Sequence, residues 1–286
     1  MEAKAKKHSQ FRIVWRRLKK NKLSMIGLLI VCILGICAVF AEFIAPYPYD
    51  KMDLLNTFQM PCKEHLLGTD NFGYDILSRL IYGSRVSLIV GFISVGIGLL
   101  FGGVLGSVSA FYGGKTDNFI MRIMDVMMSI PDLLLAISIA ASMGPGLTNA
   151  MIAVGISSIP SYARIVRASV LSTKENEYIE AARAIGAGDG RIILKHIIPN
   201  SFAPVLVQAT LGVANAILVT SALSFIGLGI QPPKPEWGAM LAAGRSYIRD
   251  FWPIVTFPGI AIMITIIALN LLGDGLRDAL DPRLKQ

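Results

Sequence analysis

The chain has 286 residues, of which 53% are apolar and only 16% charged, and its mean hydropathy is +0.59. A soluble globular domain carries about 25% charge. The composition therefore excludes a disordered or fibrous chain, argues against an ordinary cytosolic enzyme, and indicates a polytopic membrane protein.

Of 27 Lys and Arg residues, nine fall in residues 4–22, and the formal net charge is +8. A basic arm can serve nucleic acid or anionic lipid. This one stops where an apolar run begins, so membrane topology explains it better, and no nucleic-acid partner is expected. The first candidate span covers residues 23–45, uncharged until Glu42. Its core is too long for a signal peptide and no Ala-x-Ala site closes it, so it reads as a retained anchor. Cys32 and Cys37 lie within it as small hydrophobes, Cys62 has no evident partner, and no disulfide framework is expected.

Residues 46–85 form a sizeable connecting segment. Further spans are expected at 86–112, 119–143, 147–171, 202–229 and 254–273, because about 20 apolar residues cross about 30 Å of hydrocarbon. The sum is an all-α protein with six transmembrane helices: a basic arm (1–22), an anchor (23–45), an external segment (46–85) and a five-helix core (86–286). Both termini then lie on one side. With that side cytoplasmic, the inner segments carry 20 of the 27 Lys and Arg and the outer segments seven, as the positive-inside rule requires.

Ser94, Gly98, Gly102, Gly106 and Ala110 recur every four residues in the second span, and Gly212, Ala216, Thr220 and Ser224 in the fifth. Small residues on one helix face let a neighbouring backbone approach closely. Packing within one subunit is the simpler reading; a contact to a second subunit is the other. In the third span, Asp125 is expected to pair with Arg122 one turn away. Asp132 follows Pro131, which kinks a helix. It is a candidate pore or gate residue, or else a buried, satisfied carboxylate.

Enzymatic signatures are missing. Residues 109–116 (SAFYGGKT) lack the first glycine of a phosphate loop and follow a span rather than a strand. There is no HExxH, and residues 155–159 (GISSI) miss the last glycine of a nucleophile elbow. His8, His65 and His196 fall in three separate segments, so no metal site is expected.

The inner segment 172–201 is long and polar. Residues 175–185 favour a helix. Gly186, Gly188 and Gly190 allow a turn. A second amphipathic stretch starts at Asp189, offers Ile192, Ile193 and Ile197 to one side, and is expected to end at Pro199. Such a helix–turn–helix either lies on lipid or docks a cytoplasmic partner.

Glu180-Ala181-Ala182, Gly186 four residues on, and Pro199 in register resemble the EAA motif of ABC-importer permeases. His196 and Ile198 stand where the motif has Ile and Leu. Residues 68–88 (GTDNFGYDILSRLIYGSRVSL), 222–245 (ALSFIGLGIQPPKPEWGAMLAAGR) and 270–284 (NLLGDGLRDALDPRL) are similar to the C-type permeases of dipeptide and oligopeptide importers, a branch that also serves nickel and glutathione. Tyr74 stands where that branch more often has Arg.

The resemblance implies the type I ABC-importer permease architecture in a bacterial or archaeal cell (inner) membrane. It implies a second, different permease, two cytoplasmic ATPases that bind ATP and Mg, and an extracytoplasmic solute-binding protein facing residues 46–85 and 230–253. This chain would hold no cofactor and catalyse nothing. Coupling to the ATPases would fall to Tyr178, Glu180, Ala181, Ala182, Gly186, Ile198 and Pro199. The rival readings are a nickel or glutathione permease of the same branch, a stand-alone secondary transporter, for which no internal repeat is visible, and an integral assembly protein with no transport role.

Overall fold

The computed structural model describes residues 10–280. Lys4, Lys6, Lys7, Arg283 and Lys285 lie outside the described residues. Within them the chain is helical, and the one β-bridge, Thr69 to Asp75, is isolated.

A short amphipathic helix α1 (Gln10–Leu18) precedes α2 (Lys22–Val39). Asn21 caps α2 by accepting from the backbone N–H groups of Leu23 and Ser24 at 3.1 and 3.3 Å. The span ends early, at Val39, and one turn, α3 (Ala41–Ile44), follows. Arg85 closes the α2 terminus, donating to the carbonyls of Ala38 and Val39 at 2.7 and 3.0 Å. Leu23, Ile26, Leu29, Ile33 and Ile36 are exposed, whereas Ser24, Gly27 and Ala38 are buried. That inversion, small inside and large apolar outside, suits a helix whose solvent is lipid.

Helix α4 (Ile76–Tyr112) starts ten residues before the expected span. Its 37 residues reach about 55 Å, well beyond a hydrocarbon core. Asp75 caps it through the Ser78 N–H at 2.7 Å. Gly113 and Gly114, both at positive φ, turn the chain into α5 (Gly114–Met128). The expected third span is not one straight rod. It breaks at Ser129–Pro131 and resumes as α6 (Asp132–Met143) at 88° to α5. Proline fixes φ and disfavours helix in the residue before it.

Helix α7 (Leu147–Lys174) runs parallel to α4 and packs along it. Every fourth residue of the small stripe on α4 is buried there: a Cβ on Gly102 would lie 2.6 Å from the Ile159 carbonyl oxygen, and one on Gly106 2.3 Å from that of Ala163. The stripe is thus packing within the subunit. The α7 helix holds Ser157, Ser158, Pro160 and Ser161, polar for a span, because its faces are taken by neighbouring helices rather than lipid. Four helices of the described residues are long and apolar enough to cross a membrane, five if the bent pair counts as one. The α7 helix is long enough but falls short in apolar content.

After the 172–201 loop come α11 (Phe202–Phe225), a short α12 (Trp237–Gly244) and α13 (Pro253–Leu280). Between α7 and α11 lie α8 (Glu177–Ala184), α9 (Asp189–Ile192), a π turn (Ile193–Ile197) and α10 (Ile198–Asn200). Gly275 meets Ser24, and the Arg17 guanidinium reaches the Ala279 carbonyl at 3.4 Å. The start of α2 and the end of α13 therefore share the end of the bundle that carries the 172–201 loop.

The opposite end is built from residues 46–75 and 226–252. Trp237, 1% exposed, donates from Nε1 to the Leu80 carbonyl at 3.0 Å, and Gly83 leaves room for the indole. Tyr74, where the resembled branch more often has Arg, lies under the Arg79 guanidinium at 4.5 Å. Glu236 is 1% exposed and caps α12 through the N–H groups of Gly238 and Ala239 at 2.9 and 2.8 Å. Burial holds its carboxyl above the usual carboxylate range, against the bonds from Gly238, Ser224, Ala239 and Ser221. An acid with a raised folded value contributes stability that is complete below its unfolded pKa of about 4.3 and is lost as pH rises through the folded value. Glu236→Gln is expected to flatten the gain in melting temperature on acidification from about pH 8 to about pH 5, measured in mild detergent. An unchanged slope would assign that gain to other groups.

Candidate functional site

The loop at 172–201 folds as the sequence indicates, up to its second half. Ile185 is the C-cap of α8 and Gly186 follows in the left-handed region at φ +82°. The Gly186 N–H donates to the Arg183 carbonyl at 2.9 Å and the Ala187 N–H to that of Ala182 at 3.0 Å. This paired closure is the Schellman motif, and it needs a residue free to take positive φ. The second stretch does not stop at Pro199. It continues to Asn200, and the turn before the proline widens to the π register, with the Ile198 N–H bonded to the Ile193 carbonyl. Proline has no N–H to donate and crowds the carbonyl four residues earlier, so the helix absorbs it by widening.

The loop has an inner and an outer side. Ile179, Ala182, Ile192 and Ile197 are buried and pack with Ala110, Phe111, Val166, Val170 and Val205. Lys174 secures the base by donating to the last carbonyls of α4, 2.6 Å to Phe111 and 3.3 Å to Ala110. The outer side presents Tyr178, Glu180, Ala181, Gly186, Ile198 and Pro199, all exposed. Of the residues assigned to coupling, only Ala182 points inward. Ile185 is 86% and Leu194 68% exposed, the latter beside Leu100 and Val104 of α4 and Phe202 of α11. His196, at a departure from the motif, is half-buried.

Two ion pairs tie α5 to α7. Asp117 accepts from Arg167 Nε and a terminal nitrogen, both at 2.6 Å, and also from the Ser109 hydroxyl. Asp125 pairs with Arg164 at 2.7 Å and not with Arg122, because α7 brings a guanidinium alongside from another helix. Both partners of the Asp125 pair are more than half exposed, so it contributes little.

A cavity of about 250 Å³ lies midway along the bundle among α4, α6, α7 and α11. Asp132, at the first turn of α6, is in its wall with Ser157, Ser158, Ser161, Gln208 and Asn215. The 88° break carries Asp132 there. It is not the satisfied, buried carboxylate of one reading: it is exposed, and its side chain makes no hydrogen bond or ion pair among the described residues. Sequence reasoning missed Tyr162, Gln208 and Asn215 as wall residues. Their polarity inside otherwise apolar spans was the available signal. No group of three or more potential metal ligands occurs among the described residues.

Residues 98–286 match the family described as "Binding-protein-dependent transport system inner membrane component". The chain belongs to this family of ABC-importer permeases. Residues 9–61 match the "N-terminal TM domain of oligopeptide transport permease C". The permease is 48% identical over 277 residues to a dipeptide transport system permease of Alkalihalophilus pseudofirmus, covering 97% of this chain and 91% of that one. It is 46% identical to a di/tripeptide transport system permease of Pseudomonas aeruginosa (95% and 91% covered), and 44% identical to a glutathione transport system permease of Pectobacterium atrosepticum (96% and 92% covered). Among solved structures, the inward-facing MetNI methionine ABC transporter shares the fold at a TM-score of 0.59 and 19% identity, over 71% of this chain and 96% of that chain. Permeases of this family are non-catalytic membrane subunits, in keeping with the missing enzymatic signatures.

Proposed function

We propose that the permease forms half of the translocation pathway of an ATP-driven importer of di- or oligopeptides, paired with a second, different permease. The single observation that carries this reading is the outer face of the 172–201 loop. A helix–turn–helix anchored by four buried aliphatic side chains and Lys174 leaves Tyr178, Glu180, Ile185 and Gly186 exposed at the surface. A loop lying on lipid would not need so fixed a turn, and a partner's cleft would.

In this reading two cytoplasmic ATPases bind ATP and Mg and each receives one such loop. The loop end of the bundle faces the cytoplasm, as the excess of basic residues there supports, and both termini lie on that side. The opposite end faces an extracytoplasmic solute-binding protein. The peptide assignment rests on the named relatives; the glutathione relative keeps a modified peptide within the same chemistry. ATP acts by closing the ATPase pair, which draws the two loops together. A ligand shifts such an equilibrium only through its differential affinity for the two states.

The test is purification in mild detergent with mass spectrometry of all associated chains, followed by reconstitution. A second permease and ATPases, with uptake that requires ATP and the binding protein, is the expected result. A lone protein that transports in liposomes without ATP would overturn it in favour of a secondary transporter.

A further inference from the structure

The mid-bundle cavity has a chemical character that the coupling loop does not explain. Its wall carries one ionisable acid, Asp132, and no Lys, Arg or His. Asp132 sits at the N-terminus of α6, where the helix dipole amounts to about +0.5 charge at most. The full carboxylate charge exceeds that, so the cavity is net negative. Two of the neutral wall groups are oriented as acceptors. Ser157 and Ser158 donate their hydroxyl protons to their own helix, to the carbonyls of Val154 at 3.0 Å and Gly155 at 2.8 Å. Their oxygen lone pairs are left to accept. Tyr162, 2% exposed, has a hydroxyl with no hydrogen-bond partner among the described residues, an uncommon state for a buried polar group.

An ammonium group asks for this arrangement: three donors, one positive charge, and a need to replace its water shell on entering a bilayer. A bare soft or borderline metal ion does not fit, since no His or Cys lines the cavity. The volume of about 250 Å³ has room for several waters, or for one end of a peptide in their place.

We propose that this cavity is a transit subsite for the α-ammonium group of the transported solute. Asp132 is its counter-charge, and Ser157, Ser158, Gln208 and Asn215 supply oxygen acceptors in place of water. The proposal rests on the peptide-permease reading and adds to it the end of the solute that this chain recognises. Affinity at the outer surface is left to the binding protein. Asp132 therefore acts on passage, not on capture.

The test uses the complete transporter in proteoliposomes with its binding protein and a saturating, labelled alanyl dipeptide. The readout is dipeptide accumulated per ATP hydrolysed. Asp132→Asn keeps the shape and removes the charge; it is expected to lower that ratio by about tenfold or more while ATP hydrolysis stays within about twofold of wild type. Asp132→Glu is expected to restore most of the ratio, and Asn215→Leu, at an exposed position, to lower it by a smaller factor. An unchanged ratio in Asp132→Asn would overturn the subsite. So would uptake and hydrolysis falling together, since that marks a structural or gating role. A wild-type complex that hydrolyses ATP but takes up no dipeptide would instead overturn the peptide reading itself.

Discussion

Gly186→Val is expected to abolish capture of the ATPase by the detergent-solubilised permease, while Gly186→Asn retains most of it. Gly186 sits at φ +82°. A non-glycine residue pays about 1–2 kcal/mol for left-handed backbone, more when β-branched, whereas Asn tolerates that region. Nothing lies within 4 Å of where its Cβ would be, so the damage is conformational and not steric. Valine would reject the closure from Gly186 to Arg183 and from Ala187 to Ala182, and α8 and α9 would lose their fixed relation. The α4–α7 seam at Gly98, Gly102 and Gly106 lies outside that turn, so the variant should still purify as a monodisperse peak, with a modestly lowered melting temperature as the cluster under the loop loosens. Glu180→Lys gives an independent check. Glu180 is exposed and makes no hydrogen bond or ion pair among the described residues, so charge reversal disturbs no internal contact. A complex that survives both Gly186→Val and Glu180→Lys would sink the docking role of this loop.

Gly106→Val is expected to have the largest effect on folding. The added Cβ would stand 2.3 Å from the Ala163 carbonyl oxygen and 3.1 Å from the Ala163 Cα. These are backbone atoms of α7 and cannot rotate away, so the two helices must part along a seam that Gly98, Gly102 and Gly106 hold close. Overpacking typically costs about 1–3 kcal/mol, and a backbone clash within a helix pair belongs at the upper end. The expected outcome is loss of the monodisperse peak in mild-detergent chromatography, or a clearly lowered melting temperature. Gly103→Ala is the matched control. It is one turn away, with nothing within 4 Å of its Cβ, and alanine favours the helix by about 1 kcal/mol over glycine. Gly103→Ala should therefore be neutral or stabilising. A Gly106→Val protein as stable as wild type would show that the α4–α7 contact is looser than this geometry requires.

Much of the loop was legible in the sequence because it depends on local chemistry. The glycine at 186 closes α8 through bonds that span only five residues, and Ile192 and Ile197 share a side at helical spacing. The second half was less legible. Pro199 reads as a stop, yet a helix held by Ile192, Ile197 and Val205 in one buried cluster can widen by a residue and continue. The pairing of Asp125 was misread for a similar reason. Arg122 is near in sequence, but the partner that reaches it is Arg164, 39 residues away. Asp117 and Arg167, 50 residues apart, carried no local signal at all.

By itself the sequence determined the solvent, the helical class and the approximate place of the apolar runs, because hydrocarbon selects long apolar runs whatever their neighbours are. It also determined the small-residue faces and the turn at Gly186, since helix periodicity and φ preference act within a few residues. Only the tertiary structure decided that the third span breaks at 88°, that Trp237 anchors to Leu80, and that Asp132 meets Gln208 and Asn215 around one cavity. Those contacts join residues as far as 157 positions apart. They form when helices with compatible faces settle against each other, and no local preference encodes which faces will meet.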